Sequence, residues 1–401
     1  MTSDVHPGDP RRRELDDEIL KWMRELNWQR DDTRFETLAI RLFAFQFAYC
    51  EPYSRFCEAR GITPANVSSW RDIPAVPTSA FKETRLQSFH DAKTIKTFNT
   101  SGTTTSRRGA LHLDTLALYE ASLLPSIERF VFPDIASGQA RMPIRILAAS
   151  PAFAPDSSLS HMFGMALDVR GDGNSGYDCP DGVLDAEPLI ERLVALDRAY
   201  ASDSSAAPVA LCGTSFAFVH LLDAFGDAKS TSAALSLPPG SRIMETGGFK
   251  GRSREVSRHE LYSALTSQLG IAEDHIVNQY GMTELGSQFY DSQLYEAHAS
   301  FQSGEEASKE VGPRRKLGPP WVRTRLLDPE TGDEAKTGEP GMIVVHDLAN
   351  TGSTAAIQTA DLGRRVTDFD DGFDVLGRAE GADARGCSLA ADEAWLEAQP
   401  R

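Results

Sequence analysis

Residues 100–109 read Thr-Ser-Gly-Thr-Thr-Thr-Ser-Arg-Arg-Gly, a run that holds six hydroxyls, two glycines and two arginines. These are the ingredients of an anion cradle. Gly102 and Gly109 let the backbone turn and approach a ligand closely, because no Cβ stands in the way. Successive backbone N–H groups in such a turn form an anion-binding nest. The hydroxyls of Thr100, Ser101, Thr103, Thr104 and Thr105 can donate to phosphate oxygens, and Arg107 and Arg108 supply positive charge. No Gly-Lys-Ser/Thr ending follows, so the loop is not of the Walker type. The same residues also make a plain Ser/Thr-rich surface turn. The loop's composition alone does not separate the two.

Further along, two more segments end predicted strands with residues suited to a nucleotide, and ligands of α/β sheets gather at the carboxyl ends of strands. Gly247 and Gly248 lead to Lys250, which can reach a phosphate or carboxylate or can simply be an exposed lysine. Tyr280 offers an aromatic face to a base, and Gly281 follows it. Thr283 offers a hydroxyl to phosphate, and Glu284 a carboxylate to Mg²⁺. Magnesium is commonly held by one or two carboxylates plus substrate phosphate oxygens, so one glutamate suffices. The alternative for Thr283 and Glu284 is helix capping after a strand. Asp361, in Thr359-Ala-Asp-Leu-Gly-Arg364, is placed in a tight turn where it can accept ribose hydroxyls or act as an ordinary turn aspartate.

The elements that must carry these residues alternate. Helical periodicity covers 14–60. Strands are predicted at 94–99, 144–149, 208–213, 241–246 and 275–280, with helices at 115–130, 215–225 and 256–269, and a strand–loop–helix unit around residue 100. This pattern predicts an α/β fold with a mostly parallel sheet and packed helices. After residue 290 short strands (321–327, 341–346) separated by turn residues predict an antiparallel, barrel-like region. Ser303–Lys316 is charged and reads as a loop.

Composition narrows the partners. The 401 residues carry 41 basic and 58 acidic side chains, a net charge of −17, which disfavours nucleic acid and anionic lipid alike. No apolar run is long enough to span a bilayer, and no secretory signal is visible. Five cysteines without metal-ligand spacing point to reduced thiols in a cytoplasm.

In order and spacing these motifs resemble the adenylate-forming superfamily of acyl-CoA synthetases, peptide-synthetase adenylation domains and luciferases. The 100–109 loop is similar to its phosphate loop, Tyr280–Glu284 to its Tyr-Gly-x-Thr-Glu motif, Thr359–Arg364 to its Thr-Gly-Asp motif, and Leu376-Gly-Arg378 to its Gly-Arg. His161-Met-Phe-Gly164 looks like its His-x-Phe-Gly segment, which places His161 and Phe163 at the acyl pocket. The resemblance implies ATP and Mg²⁺, and a large adenylate-forming domain with the C-terminal domain truncated to a short tail. On this reading residues 1–90 form the helical part of that domain and 91–365 the nucleotide- and acyl-binding core. Residues 366–401 form the tail.

Two departures refine the resemblance. No lysine follows Lys336, so the family's C-terminal catalytic lysine is missing. The tail instead carries Cys387, between Gly386 and Ser388 and near Arg385. A short tail with a cysteine, and the stretch Met244–Lys250, resemble the acyl-protein synthetases of bacterial luminescence-type fatty-acid reductase systems. Those activate a fatty acid as acyl-AMP and hold the acyl group on a cysteine before it passes to a reductase partner. A thiolate suits that step if its pKa is lowered, which Arg385 and Arg378 favour. Cys387 also reads as a bystander thiol. Three functions stay open: acyl-protein synthetase, stand-alone acyl- or aryl-CoA ligase of the phenylacetate type, and a catalytically silent nucleotide-binding scaffold. Acyl chain identity, final acceptor and oligomeric state are not encoded in these motifs.

Overall fold

The structure is a computed structural model that describes residues 10–26, 28–100, 108–135, 140–227, 234–247, 256–302 and 312–379. The chain divides into two units. One holds the described residues up to Ser126, Gly281–Phe289 and those from Arg315 onward; the other holds those of Ile127–Tyr280 and Tyr290–Arg314.

In the second unit the strands Gly176–Tyr177, Ile144–Leu147, Ala210–Thr214, Arg242–Thr246 and Ile276–Tyr280 lie side by side, each parallel to the next. Arg242–Thr246 is buried at every position, as a parallel strand covered on its faces must be. Leu211, Ile243 and Ile276 pack with Leu189 and Leu193 of the helix Ala186–Ser202, Phe218 and Leu221 of Ser215–Asp227, and Leu261 and Leu265 of Arg258–Leu269. Each such side chain contributes about 1.5–3 kcal/mol on burial.

Local chemistry sets the boundaries. Ser257 caps Arg258–Leu269 through a reciprocal box with Glu260, and Gly270 ends the helix at φ +68°. Gly213 is there for space: a Cβ on it would sit 2.7 Å from Leu147 Cβ and 2.8 Å from Leu147 O. Gly213→Ala is therefore expected to cost about 1–3 kcal/mol of stability through overpacking, read as a lowered urea midpoint at unchanged slope.

The first unit begins with the helices Pro10–Met23, Asp32–Tyr49 and Glu51–Glu58. The helical periodicity of 14–60 is thus broken twice, once where Asp31 caps the second helix by accepting from the Arg34 N–H, and once at Cys50. Its sheet is the antiparallel series Val322–Leu327, Pro340–Asp347, Ala356–Arg365, Phe373–Arg378 and Lys316–Leu317, with Val76–Pro77 parallel to Ala356–Arg365. This is the antiparallel texture expected after residue 290. Lys316, expected in a loop, opens a strand instead; residues 303–311 lie outside the described ones.

Around residue 100 the structure corrects the expectation. The unit is strand–loop–strand, not strand–loop–helix: Lys96–Asn99 pairs antiparallel with Ala110–Leu113 in a sheet of two strands, and the helix starts only at Ala117. The reason is the alternation of half-buried and buried residues over Ala110–Leu113, which matches a strand of period two. The 100–109 loop therefore closes a hairpin. Among the described residues no helix is long and apolar enough to cross a membrane.

Candidate nucleotide and metal site

The hairpin loop is tied at its base. The Thr100 N–H donates to Gly109 O (2.9 Å), and the Gly109 N–H donates back to Thr100 Oγ1 (2.9 Å). Arg108 lies along the end of the strand, its Nε donating to Thr100 O (2.6 Å) and its Nη2 reaching Asn99 O (3.4 Å), while the residue itself stays exposed. Its guanidinium is thereby held at the end of the Lys96–Asn99 strand. Residues 101–107, and with them Ser101, Gly102, Thr103, Thr104, Thr105 and Arg107, lie outside the described residues, as do Gly248, Lys250 and Cys387.

Glu284 meets this loop base within the same unit. Its side chain is buried, and a Cβ built on Gly109 would stand 3.5 Å from Glu284 Oε1 and 3.1 Å from Thr100 Cγ2. The Glu284 carboxylate thus lies within van der Waals reach of the loop base at Gly109. Thr283 Oγ1 lies 3.4 Å from Asn99 O, so this neighbour also borders the end of the hairpin strand. Residues 281–288 form neither helix nor strand, and the next helix begins at Gln293. Helix capping does not account for Thr283 and Glu284.

Asp361 requires a correction. It sits inside the long strand Ala356–Arg365 rather than in a tight turn. Its N–H donates to Thr359 Oγ1 (3.1 Å), and the ladder is irregular between Leu362 and Gly363. A local side-chain bridge and a register shift therefore replace the turn, and the strand continues. The register sets Asp361 directly opposite Arg378, with Arg378 Nε 3.9 Å from Asp361 Oδ1 and the guanidinium largely exposed. Two motifs on consecutive strands become one cross-strand pair.

In the other unit, Gly247 ends Arg242–Thr246 at φ +86°, and its carbonyl accepts from Ser215 Oγ (3.1 Å). Tyr280 ends Ile276–Tyr280 half-buried, immediately before Gly281. His161 and Phe163 share the helix Ser158–Arg170. They are two residues apart and so about 200° apart around its axis: Phe163 is fully buried and His161 partly exposed.

Sequence reasoning passed over several buried polar groups. Glu245 receives hydrogen bonds from Ser215 Oγ, Tyr262 OH (2.9 Å) and Asn278 Nδ2 (2.5 Å). Asp347 accepts from Ser287 Oγ (2.7 Å), and burial pushes its carboxyl up to about 6. Asn350 donates to Glu284 O. The available signal was a polar residue inside an apolar run, as in Arg242-Ile-Met-Glu-Thr246.

The described cysteines are poor nucleophiles. Cys50, Cys57, Cys179 and Cys212 are all buried thiols. Burial pushes Cys50 up to about 11 and Cys57 and Cys212 up to about 12, so the thiolate is scarce at neutral pH.

The acyl-protein synthetase family LuxE matches residues 11–396. The chain belongs to that family. A long-chain-fatty-acid–luciferin-component ligase of Aliivibrio fischeri is 22% identical over 351 residues, spanning 86% of this chain and 84% of the relative. The corresponding ligase of Photorhabdus luminescens is 33% identical over 66 residues, 16% of this chain and 56% of that one. Among solved structures, 2-hydroxyisobutyryl-CoA ligase in its postadenylation state aligns with a TM-score of 0.61 at 15% identity, covering 87% of this chain and 68% of the ligase. The same ligase in an open conformation gives 0.58 at 14% identity, covering 86% and 72%. This acyl-protein synthetase family member therefore has the mixed α/β fold of adenylate-forming ligases, and its class is ligase.

Proposed function

We propose that the chain activates a fatty acid with Mg²⁺ and ATP as an acyl adenylate, then transfers the acyl group to the Cys387 thiol for delivery to a reductase partner. The observation that carries this reading is the Glu284 carboxylate against the base of the Thr100–Gly109 loop, in a chain of an acyl-protein synthetase family.

A carboxylate is a poor electrophile. In the first step its oxygen bonds to the α-phosphorus of ATP and the bond to pyrophosphate breaks. Bound Mg²⁺ would neutralise charge on the phosphate oxygens. Glu284 fits that ion: it is one hard oxygen donor beside a loop of hydroxyls and N–H groups, and phosphates would complete the shell. Arg108, with Arg107, adds fixed positive charge where pyrophosphate charge develops. Asp361 accepts from the ribose hydroxyls, and Arg378 faces it from the neighbouring strand. By resemblance, Tyr280 and Gly247 contact the nucleotide and His161 and Phe163 the acyl chain.

In the second step a thiolate attacks the acyl carbon, the C–S bond forms and AMP leaves. The thiol must first give its proton to a base or to solvent. Four of the five cysteines are buried with raised or inaccessible thiols, which leaves Cys387 as the candidate acceptor.

The test is intact-protein mass spectrometry after incubation with ATP, Mg²⁺ and a panel of carboxylic acids, paired with a pyrophosphate assay. A carboxylate-dependent release of pyrophosphate and a covalent acyl mass that hydroxylamine removes are expected. No carboxylate-dependent pyrophosphate from any acid would sink the proposal. Free acyl-CoA on adding CoA, without a protein adduct, would turn it into a CoA ligase.

A further inference from the structure

Gly281–Phe289 is a short visit of the chain to the first unit. Until Phe289 it has no helix or sheet ladder to fix it, so side chains must hold Glu284 in place. They come from the buried turn Asp347–Ala355, closed by a 2.8 Å bond from the Asp347 N–H to Ala355 O. Asn350 Nδ2 donates to Glu284 O (2.9 Å) and to Thr354 O (3.0 Å). Asp347 Oδ1 takes the Ser287 hydroxyl, which also meets Ser122 Oγ at 2.8 Å. Gly286 lies flush on Ala349: an added Cβ would stand 2.9 Å from Ala349 Cβ.

The turn is itself clamped. Gln46 Nε2 donates to Asn350 O (2.8 Å), and its Oε1 accepts from the Ala355 N–H (2.9 Å). Asn350 is 2% exposed, yet its Oδ1 has no hydrogen-bond partner among the described residues. A buried unsatisfied amide oxygen costs free energy. Turning the amide over would be worse, because it would aim that oxygen at two carbonyls.

We infer that Asn350 is a positioning residue for the metal-binding carboxylate of Glu284, acting through the Glu284 backbone carbonyl, with Asp347 acting in parallel through Ser287. The inference rests on the reading of Glu284 as a Mg²⁺ ligand. A carboxylate must be held to within about 0.5 Å of its productive place. Groups behind a metal ligand commonly set about 10- to 100-fold in metal affinity.

The test measures Mn²⁺ as the probe ion by electron paramagnetic resonance, with ATP present and no carboxylic acid, so that no turnover is needed. Asn350→Asp replaces the two donors with oxygen and should weaken Mn²⁺ binding about tenfold or more. Ser287→Ala should weaken it less, in the same direction, and ATP binding without metal should be unchanged for both. Wild-type Mn²⁺ affinity in folded Asn350→Asp overturns the inference; if that variant does not fold, Ser287→Ala decides in the same way. Glu284→Gln separates the two levels. Wild-type Mn²⁺ affinity in that variant removes Glu284 as a ligand and the inference with it, whereas weakened binding there beside unchanged Asn350→Asp and Ser287→Ala rejects the positioning role alone.

Discussion

Glu284→Gln is expected to slow carboxylate-dependent pyrophosphate release by about a hundredfold or more while leaving the fold in place. The substitution keeps the size, replaces one acceptor oxygen by an NH2 donor and removes one negative charge. Lewis-acid stabilisation of phosphoryl charge is worth several kcal/mol, and each ~1.4 kcal/mol is a factor of ten in rate. The loss should be partly relieved by raising Mg²⁺, because a weakened site still fills at higher concentration. The backbone carbonyl of the buried Glu284 accepts from Asn350 Nδ2. The side-chain change leaves that bond intact, so the circular dichroism spectrum should match wild type. Pyrophosphate released per minute against Mg²⁺ concentration is the measurement. A variant with the wild-type rate at low Mg²⁺ would remove the carboxylate from the chemistry.

Much of the framework could be read from local pattern. The helix at 258–269 is announced by Ser257 and Glu260 at its start and Gly270 at its end, and all three act as their types dictate. Four of the five parallel strands stand out as short, largely apolar runs between polar turns, whereas Gly176–Tyr177, two half-buried residues, does not. The hairpin was misread because Ala110–Leu113 is only four residues long and its partner, Lys96–Asn99, is known only once the chain has folded back. Asp361 was placed in a turn because Thr, Asp and Gly together are turn residues. In the sheet, pairing on both sides of the strand outweighs that local preference. The supports of Glu284 were invisible for a different reason. Asn350 and Asp347 bond to residues 60 or more positions away, and nothing in the local sequence of either turn names its partner.

Cys387→Ala is expected to abolish the covalent acyl adduct while leaving acyl-adenylate formation at the wild-type rate. The two half-reactions use different groups. On the proposed mechanism pyrophosphate release depends on the loop, the arginines and Glu284, and none of these is changed. The acyl acceptor must be a thiolate, because it is the thiolate that attacks. Cys50, Cys57 and Cys212 cannot substitute, since burial pushes them up to about 11, 12 and 12 and seals them in the core. Cys179 is also buried with its thiol pushed up, so it offers no easy replacement. Intact mass after incubation with ATP, Mg²⁺ and a fatty acid reads the outcome directly. The wild type gains the acyl mass and loses it to hydroxylamine, and the variant gains nothing. ATP–pyrophosphate exchange with the same acid reports the first half-reaction independently and should not change. A hydroxylamine-labile adduct that persists in Cys387→Ala would place the acyl group on another nucleophile, and peptide mapping of that adduct would identify it.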